Sequence, residues 1–124
     1  MKLLLDTHVL LWWLAEERVT TEAQEAIQSP RNVVCVSAAS AWEMGIKVSL
    51  GKLRVPESLS ARLREERFTP LAVTVDHGLR VGELPLLHND PFDRLLVAQA
   101  QLEGLTIVTR DPRIAAYDVE TLVA

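Results

Sequence analysis

Four acidic residues stand far apart in the chain, each at or near the end of an apolar segment. Asp6 follows Lys2-Leu-Leu-Leu, Glu43 lies beyond Val33-Val-Cys-Val, Asp93 belongs to Asn89-Asp-Pro-Phe-Asp-Arg, and Asp111 follows Ile107-Val-Thr-Arg. Pairing of those segments in one parallel sheet brings the four carboxylates together. Like charges at such short range raise one another's pKa and resist joint ionisation. A divalent cation removes that penalty, and a hard one such as Mg²⁺ or Mn²⁺ prefers carboxylate oxygen. The pattern predicts a metal-dependent phosphoryl-transfer site in which Asp6, Glu43, Asp93 and Asp111 are at once metal ligands and catalytic residues.

The elements that must position these acids are short. Apolar runs at residues 2–5, 33–36, 71–75 and 106–108 are rich in Val, Leu and Ile, as buried parallel strands are. Helical patterns lie between them. Thr20-Thr-Glu-Ala-Gln-Glu-Ala-Ile reads as a capped amphipathic helix, and Ala38 to Leu50 continues to a C-terminal signal at Gly51. Pro56 to Arg64 is another helical stretch, Pro91 to Gly104 opens with proline and closes with glycine, and Pro112 to Tyr117 is a short helix. Strands alternating with helices predict an α/β fold with a central parallel sheet covered on both faces, whose ligands bind at the carboxyl ends of the strands.

At 124 residues the chain is read as a single domain, 1–124, able to bury a core without disulfides. Its 48% hydrophobic and 24% charged content excludes general disorder. No apolar run approaches the ~18 residues that span a bilayer, and Met1-Lys-Leu-Leu-Leu-Asp is too short for a signal peptide, so a cytoplasmic protein without membrane contact is expected. Cys35 has no partner for an internal disulfide and sits in a buried strand pattern. A net charge of −4 gives no bulk support for nonspecific nucleic-acid binding. A local basic rim of Lys47, Lys52, Arg54, Arg94, Arg110 and Arg113 near the acids is left to contact phosphate.

Helix capping competes with the metal reading at each aspartate. Asp6, Asp90 and Asp111 each precede a helical start, and Asp93 stands where a capping box has its reciprocal partner. Glu43 lies inside its helix, where capping explains nothing. Ala39, Trp42, Ile46 and Leu50 surround it at helical spacing as an apolar face, and Lys47 at i+4 is its alternative partner. Structural hydrogen bonds account for His8, His77 and His88 more simply than catalysis does. Of Trp12 and Trp13, one is expected in the core and the other at a contact surface.

The segments Leu4-Leu-Asp-Thr-His-Val-Leu, Val36-Ser-Ala-Ala-Ser-Ala-Trp-Glu-Met, His88-Asn-Asp-Pro-Phe-Asp-Arg-Leu-Leu-Val-Ala-Gln-Ala and Leu105-Thr-Ile-Val-Thr-Arg-Asp together resemble the PIN-domain family, in particular the VapC-type toxins of toxin–antitoxin systems. The resemblance runs from Met1 to Val123. It implies a three-layer α/β/α sandwich and a Mg²⁺- or Mn²⁺-dependent ribonuclease whose four acids fall on Asp6, Glu43, Asp93 and Asp111. It further implies a hydroxyl at Thr109 beside the last acid, products with a 3′-hydroxyl and a 5′-phosphate, a cognate antitoxin and a homodimer. Asp90 is read mainly as a cap with a supporting role, and Arg94 as a phosphate-binding neighbour.

Asp6 and Asp93 are expected as the most direct ligands, with Glu43 and Asp111 holding water of the ion's shell or a second ion. Two other acidic-pocket folds fail on specific absences. A receiver domain needs a lysine near its late strand, and there is none after Lys52; a haloacid-dehalogenase-type phosphatase needs an aspartate two residues beyond the first, where His8 stands. The alternative from another class is a PIN-like protein-binding module with little or no nuclease activity, because four acids are necessary for metal binding but not sufficient for turnover.

Overall fold

Three consecutive leucines, Leu3, Leu4 and Leu5, are each at most 1% exposed, which requires apolar cover on both faces of the strand they form. The computed structural model, which describes residues 1–55 and 58–124, supplies that cover. In chain order the elements are β1 (Lys2–Leu5), α1 (Thr7–Leu14), α2 (Thr21–Gln28), β2 (Val33–Ser37), α3 (Ala38–Ser49) and α4 (Leu59–Glu65). There follow β3 (Thr69–Leu71), α5 (Val75–Val81), α6 (Pro91–Glu103), β4 (Thr106–Thr109), α7 (Pro112–Ala115) and β5 (Thr121–Val123).

All strand pairs are parallel, in the order β3-β2-β1-β4-β5. Leu4 of β1 lies level with Cys35 of β2 on one side and Ile107 of β4 on the other. The two-residue period of the strands then divides the apolar runs between two cores. Leu3, Leu5, Val34, Val36 and Val108 pack with Val9, Leu10, Leu14, Ala23, Ile27 and Met44. Leu4, Cys35 and Ile107 pack on the opposite face with Leu96, Val97, Ala100, Ile114 and Tyr117. The expected α/β/α sandwich is thus present, with Cys35 buried in its strand. Among the described residues no helix is long and apolar enough to cross a membrane.

Local signals set most helix ends. Thr20 accepts from the Ala23 amide and Ser37 from the Ala39 amide, so each caps the helix that follows it. Pro91 occupies the first turn of α6, and Gly104 ends it at φ +66°, a conformation that favours glycine. α7 is shorter than expected and stops at Ala115. Pro56, expected to open a helix, lies outside the described residues; α4 begins at Leu59.

Three expectations need correction. The strand expected at 71–75 lies at Thr69–Leu71, and Val75 instead opens α5. The reason is a capping box: the Thr74 hydroxyl accepts from the His77 amide while His77 Nδ1 accepts from the Thr74 amide, which turns a β-branched run into a helix start. The buried face of α3 is Ala39, Ser40, Glu43 and Met44 rather than the one through Trp42 and Leu50, which are 64% and 61% exposed. Ser40 is tolerated inside because the Thr7 hydroxyl donates to it at 2.8 Å. Trp12 and Trp13 are both half-buried, Trp12 beneath the Arg110 guanidinium and Trp13 donating its indole N–H to Glu66.

A buried polar chain crosses between α3 and α6. The Ser37 hydroxyl donates to Gln99 Oε1 at 2.6 Å, and Gln99 Nε2 donates to the Ala72 carbonyl at 3.3 Å. Gln99 is fully buried. Gln99→Leu strands the Ser37 hydroxyl without an acceptor, and a buried polar group left unpaired costs ~1–3 kcal/mol. Urea unfolding should show a loss of that size with an unchanged m-value; unchanged stability would mean that the Ser37–Gln99 bond holds nothing together.

Candidate active site

The strand order reverses direction at β1, with β2 on one side and β4 on the other, so a crevice opens at the carboxyl ends of β1 and β4. Asp6 is the first residue beyond β1, and its amide donates to the Val108 carbonyl of β4. Its two carboxylate oxygens have different duties. Oδ1 accepts from the His8 amide and caps α1, while Oδ2 accepts from the Thr109 hydroxyl at 2.7 Å. Thr109 Oγ1 in turn accepts from the Asp111 amide at 3.0 Å. The last residue of β4 therefore ties the first acid to the fourth.

Asp111 caps α7 by accepting from the Arg113 amide at 2.8 Å, and the Arg113 guanidinium approaches both of its oxygens at 3.3 Å. Burial by itself would raise its pKa. The Arg113 amide and guanidinium, with His88, outweigh burial and hold the carboxyl below its ordinary value. Asp93 sits in the first turn of α6, buried, with His88 Nε2 2.9 Å from its Oδ2. The same Nε2 is 3.2 Å from Asp111 Oδ2. Burial first, then the charges of Asp6, Asp90 and Glu43, push Asp93 up to about 7, against the opposing pull of His88.

Glu43 reaches the group from α3. Its Oε2 accepts from Lys47 Nζ at 3.0 Å, the pairing anticipated at i+4. Its Oε1 is buried with no hydrogen-bond partner among the described residues, which is costly for a carboxylate oxygen in a protein interior. Among the described residues neither Asp6 nor Asp93 has a lysine or arginine partner.

Asp90 behaves as a cap, with Oδ1 accepting from the Phe92 and Asp93 amides. Asp93 is not the reciprocal partner of a capping box; its carboxylate turns to His88 instead. Arg94 points elsewhere, donating to the Pro85 and Val81 carbonyls and the Tyr117 hydroxyl. Arg110 is likewise held by the Ala124 and Arg18 carbonyls. Four of the six cations expected to form a phosphate-binding rim, Lys47, Arg94, Arg110 and Arg113, are therefore engaged within the protein, while Lys52 and Arg54 are exposed. His88 is the residue whose place was not legible: a structural hydrogen bond was expected, but not one lying between two of the four acids. The signal available was its position immediately before Asn89-Asp-Pro, where a ring can reach back to the helix start.

The donor set suits a hard divalent cation. Its protein atoms are carboxylate oxygens, one of them a buried orphan, and the burial and mutual repulsion that raise Asp93 are penalties a bound cation relieves. His88, Asp93 and Asp111 also bring one potential ligand atom each within 4.8 Å of one another.

Comparison with known proteins agrees with this fold. Ribonuclease VapC22 of Mycobacterium tuberculosis is 30% identical over 122 residues, covering 92% of this chain and 90% of that protein. The structure of VapBC2 from Rickettsia felis, bound to a DNA fragment from their promoter, superposes with a TM-score of 0.71 at 15% identity, covering 98% of each chain. A toxin–antitoxin complex from Klebsiella pneumoniae gives 0.67 at 22% identity, covering 97% of this chain and 95% of that one. The sequence profile of the PIN domain matches residues 3–120, and with nearly the whole chain inside that match the protein belongs to the PIN-domain family.

Proposed function

We propose that the chain is a Mg²⁺- or Mn²⁺-dependent endoribonuclease, the toxin of a type II toxin–antitoxin pair, acting on RNA in the cytoplasm. The observation that carries this reading is the convergence of four acids in which, among the described residues, Asp6 and Asp93 have no lysine or arginine partner and Glu43 Oε1 has no hydrogen-bond partner. The 30% identity to Ribonuclease VapC22 supports the choice of RNA, and the likeness to VapBC assemblies supports an antitoxin partner. A homodimer is part of the same reading.

Asp6, Glu43, Asp93 and Asp111 would hold the ion, which when bound supplies Lewis acidity and charge neutralisation at the phosphoryl group. The chain's own groups do the rest. Thr109 keeps Asp6 Oδ2 oriented across the β1–β4 junction. Glu43 Oε1, without a hydrogen-bond partner among the described residues, would face the ion and the water of its shell. Water oxygen bonds to phosphorus, the bond to the 3′-oxygen breaks, and the leaving oxygen takes a proton, giving a 5′-phosphate and a 3′-hydroxyl. Asp90 supports the site indirectly by capping α6 under Asp93.

Purified protein should cleave total cellular RNA only with added Mg²⁺ or Mn²⁺. Asp6→Asn and Asp93→Asn should each lose more than ~100-fold, beyond the ~10–100-fold typical of residues that merely orient ligands. Metal binding without RNA cleavage would favour a protein-binding module, and cleavage surviving both substitutions would dismantle the four-acid site.

The metal-free protein should also show a pH signature. Asp93 is raised in the folded state to about 7, so its contribution to stability is fully present at low pH and is lost as pH rises through about 7. Asp111 is lowered, and its contribution is lost only below the ordinary carboxylate range, outside this window. Urea midpoints should therefore fall from about pH 5.5 to about pH 8, recover at the higher pH on adding Mg²⁺, and depend less on pH in Asp93→Asn. A midpoint that rises across this window in the wild type but not in Asp93→Asn would contradict the raised carboxyl.

A further inference from the structure

His88 lies between two of the four acids, and its ring has two possible parts to play: ligand or clamp. The hydrogen bond on its other side decides between them. The Asp90 amide points at His88 Nδ1 at 3.2 Å. An amide N–H can only donate, so Nδ1 carries no proton and accepts. In that tautomer the proton of the imidazole is on Nε2, the atom 3.2 Å from Asp111 Oδ2 and 2.9 Å from Asp93 Oδ2. A nitrogen that carries a proton has no lone pair for a cation. For Nε2 to ligate, the proton would have to move to Nδ1, where it would face the Asp90 N–H.

The rest of the loop holds the ring in this orientation. The Tyr117 hydroxyl accepts from the His88 amide at 3.0 Å, from the Leu87 amide at 3.2 Å and from Arg94 Nη1 at 3.0 Å. Arg94 also ties that loop through the Pro85 carbonyl. Asp90, whose amide fixes the ring, is itself locked as the cap of α6. The ring is buried, so solvent does not compete for Nε2.

We infer that His88 is a positioning residue and not a metal ligand: its Nε2–H donates to Asp111 Oδ2 while the same ring edge lies against Asp93 Oδ2, fixing the two carboxylates relative to each other and leaving the rest of Asp93 to a hard cation. This inference rests on the proposed metal centre and adds a requirement to it. Partners of this kind, which orient ligands without touching the ion, are worth about 10–100-fold in metal affinity.

The test is Mn²⁺ binding to the purified full chain, read as loss of the free-ion electron paramagnetic resonance signal, with no RNA present. His88→Leu should weaken Mn²⁺ binding about 10–100-fold while circular dichroism stays unchanged. His88→Gln, whose side-chain amide can donate from near the position of Nε2, should recover most of the loss. In parallel, ¹⁵N spectra of the wild-type histidine ring should show the Nε2–H tautomer both before and after Mg²⁺ is added, a readout that needs no variant and survives if His88→Leu does not fold. A proton moved to Nδ1 by Mg²⁺ would make His88 a ligand and overturn the inference. Leu and Gln variants that bind Mn²⁺ as tightly as the wild type would overturn it too, as would a Gln variant no better than Leu. If the wild type itself takes up no Mn²⁺, the metal centre falls, and His88 falls with it.

Discussion

Repulsion between buried carboxylates is the constraint on which this structure turns. Asp93 is raised by burial and by the charges of Asp6, Asp90 and Glu43 together, so the fold must supply compensation at each acid or leave the repulsion standing. Three compensations are visible. Lys47 neutralises one oxygen of Glu43, Arg113 clasps Asp111, and three helix starts lie beside Asp6, Asp93 and Asp111, where the macrodipole favours negative charge. What they leave uncompensated is concentrated at Asp6, Asp93 and Glu43 Oε1, which is where a hard cation fits.

Capping leaves each of these aspartates an oxygen for another partner. Asp6 uses one oxygen to cap α1 and gives the other to Thr109; Asp111 caps α7 and still faces His88. A carboxylate has about four lone-pair sites, enough for both tasks. The cap in turn fixes the side chain's rotamer, so the helix start serves the site by holding its acid in place.

The same economy of polar contacts explains the shortage of free cations around the site. Arg94 and Arg110 satisfy backbone carbonyls in loops and at the end of α5, where an unpaired acceptor would be costly, and Lys47 and Arg113 answer acids. Behind them the Ser37–Gln99 bond joins the start of α3 to the body of α6, the two helices that deliver Glu43 and Asp93. A site whose supports are buried and hydrogen-bonded is held rigidly, and preorganisation of this kind is what electrostatic catalysis relies on.

Much of this was legible from residue order. Apolar runs at Leu3-Leu-Leu and Ile107-Val declared buried parallel strands, Pro91 and Gly104 bounded α6, and the identities of the four acids stood in plain sight, because backbone preference and ionisable chemistry are properties of residues and near neighbours. The strand expected at 71–75 was misplaced because a histidine completed the capping box that turns the chain at Thr74. The edge strand β5 has no long apolar run to announce it: it is three residues long and is defined by its pairing with β4. The face that α3 buries, the loop duty of Arg94 and the place of His88 between Asp93 and Asp111 were decided by tertiary structure alone. Each depends on which groups from distant parts of the chain come within hydrogen-bonding range, and sequence separation carries no information about that distance until the sheet order is set.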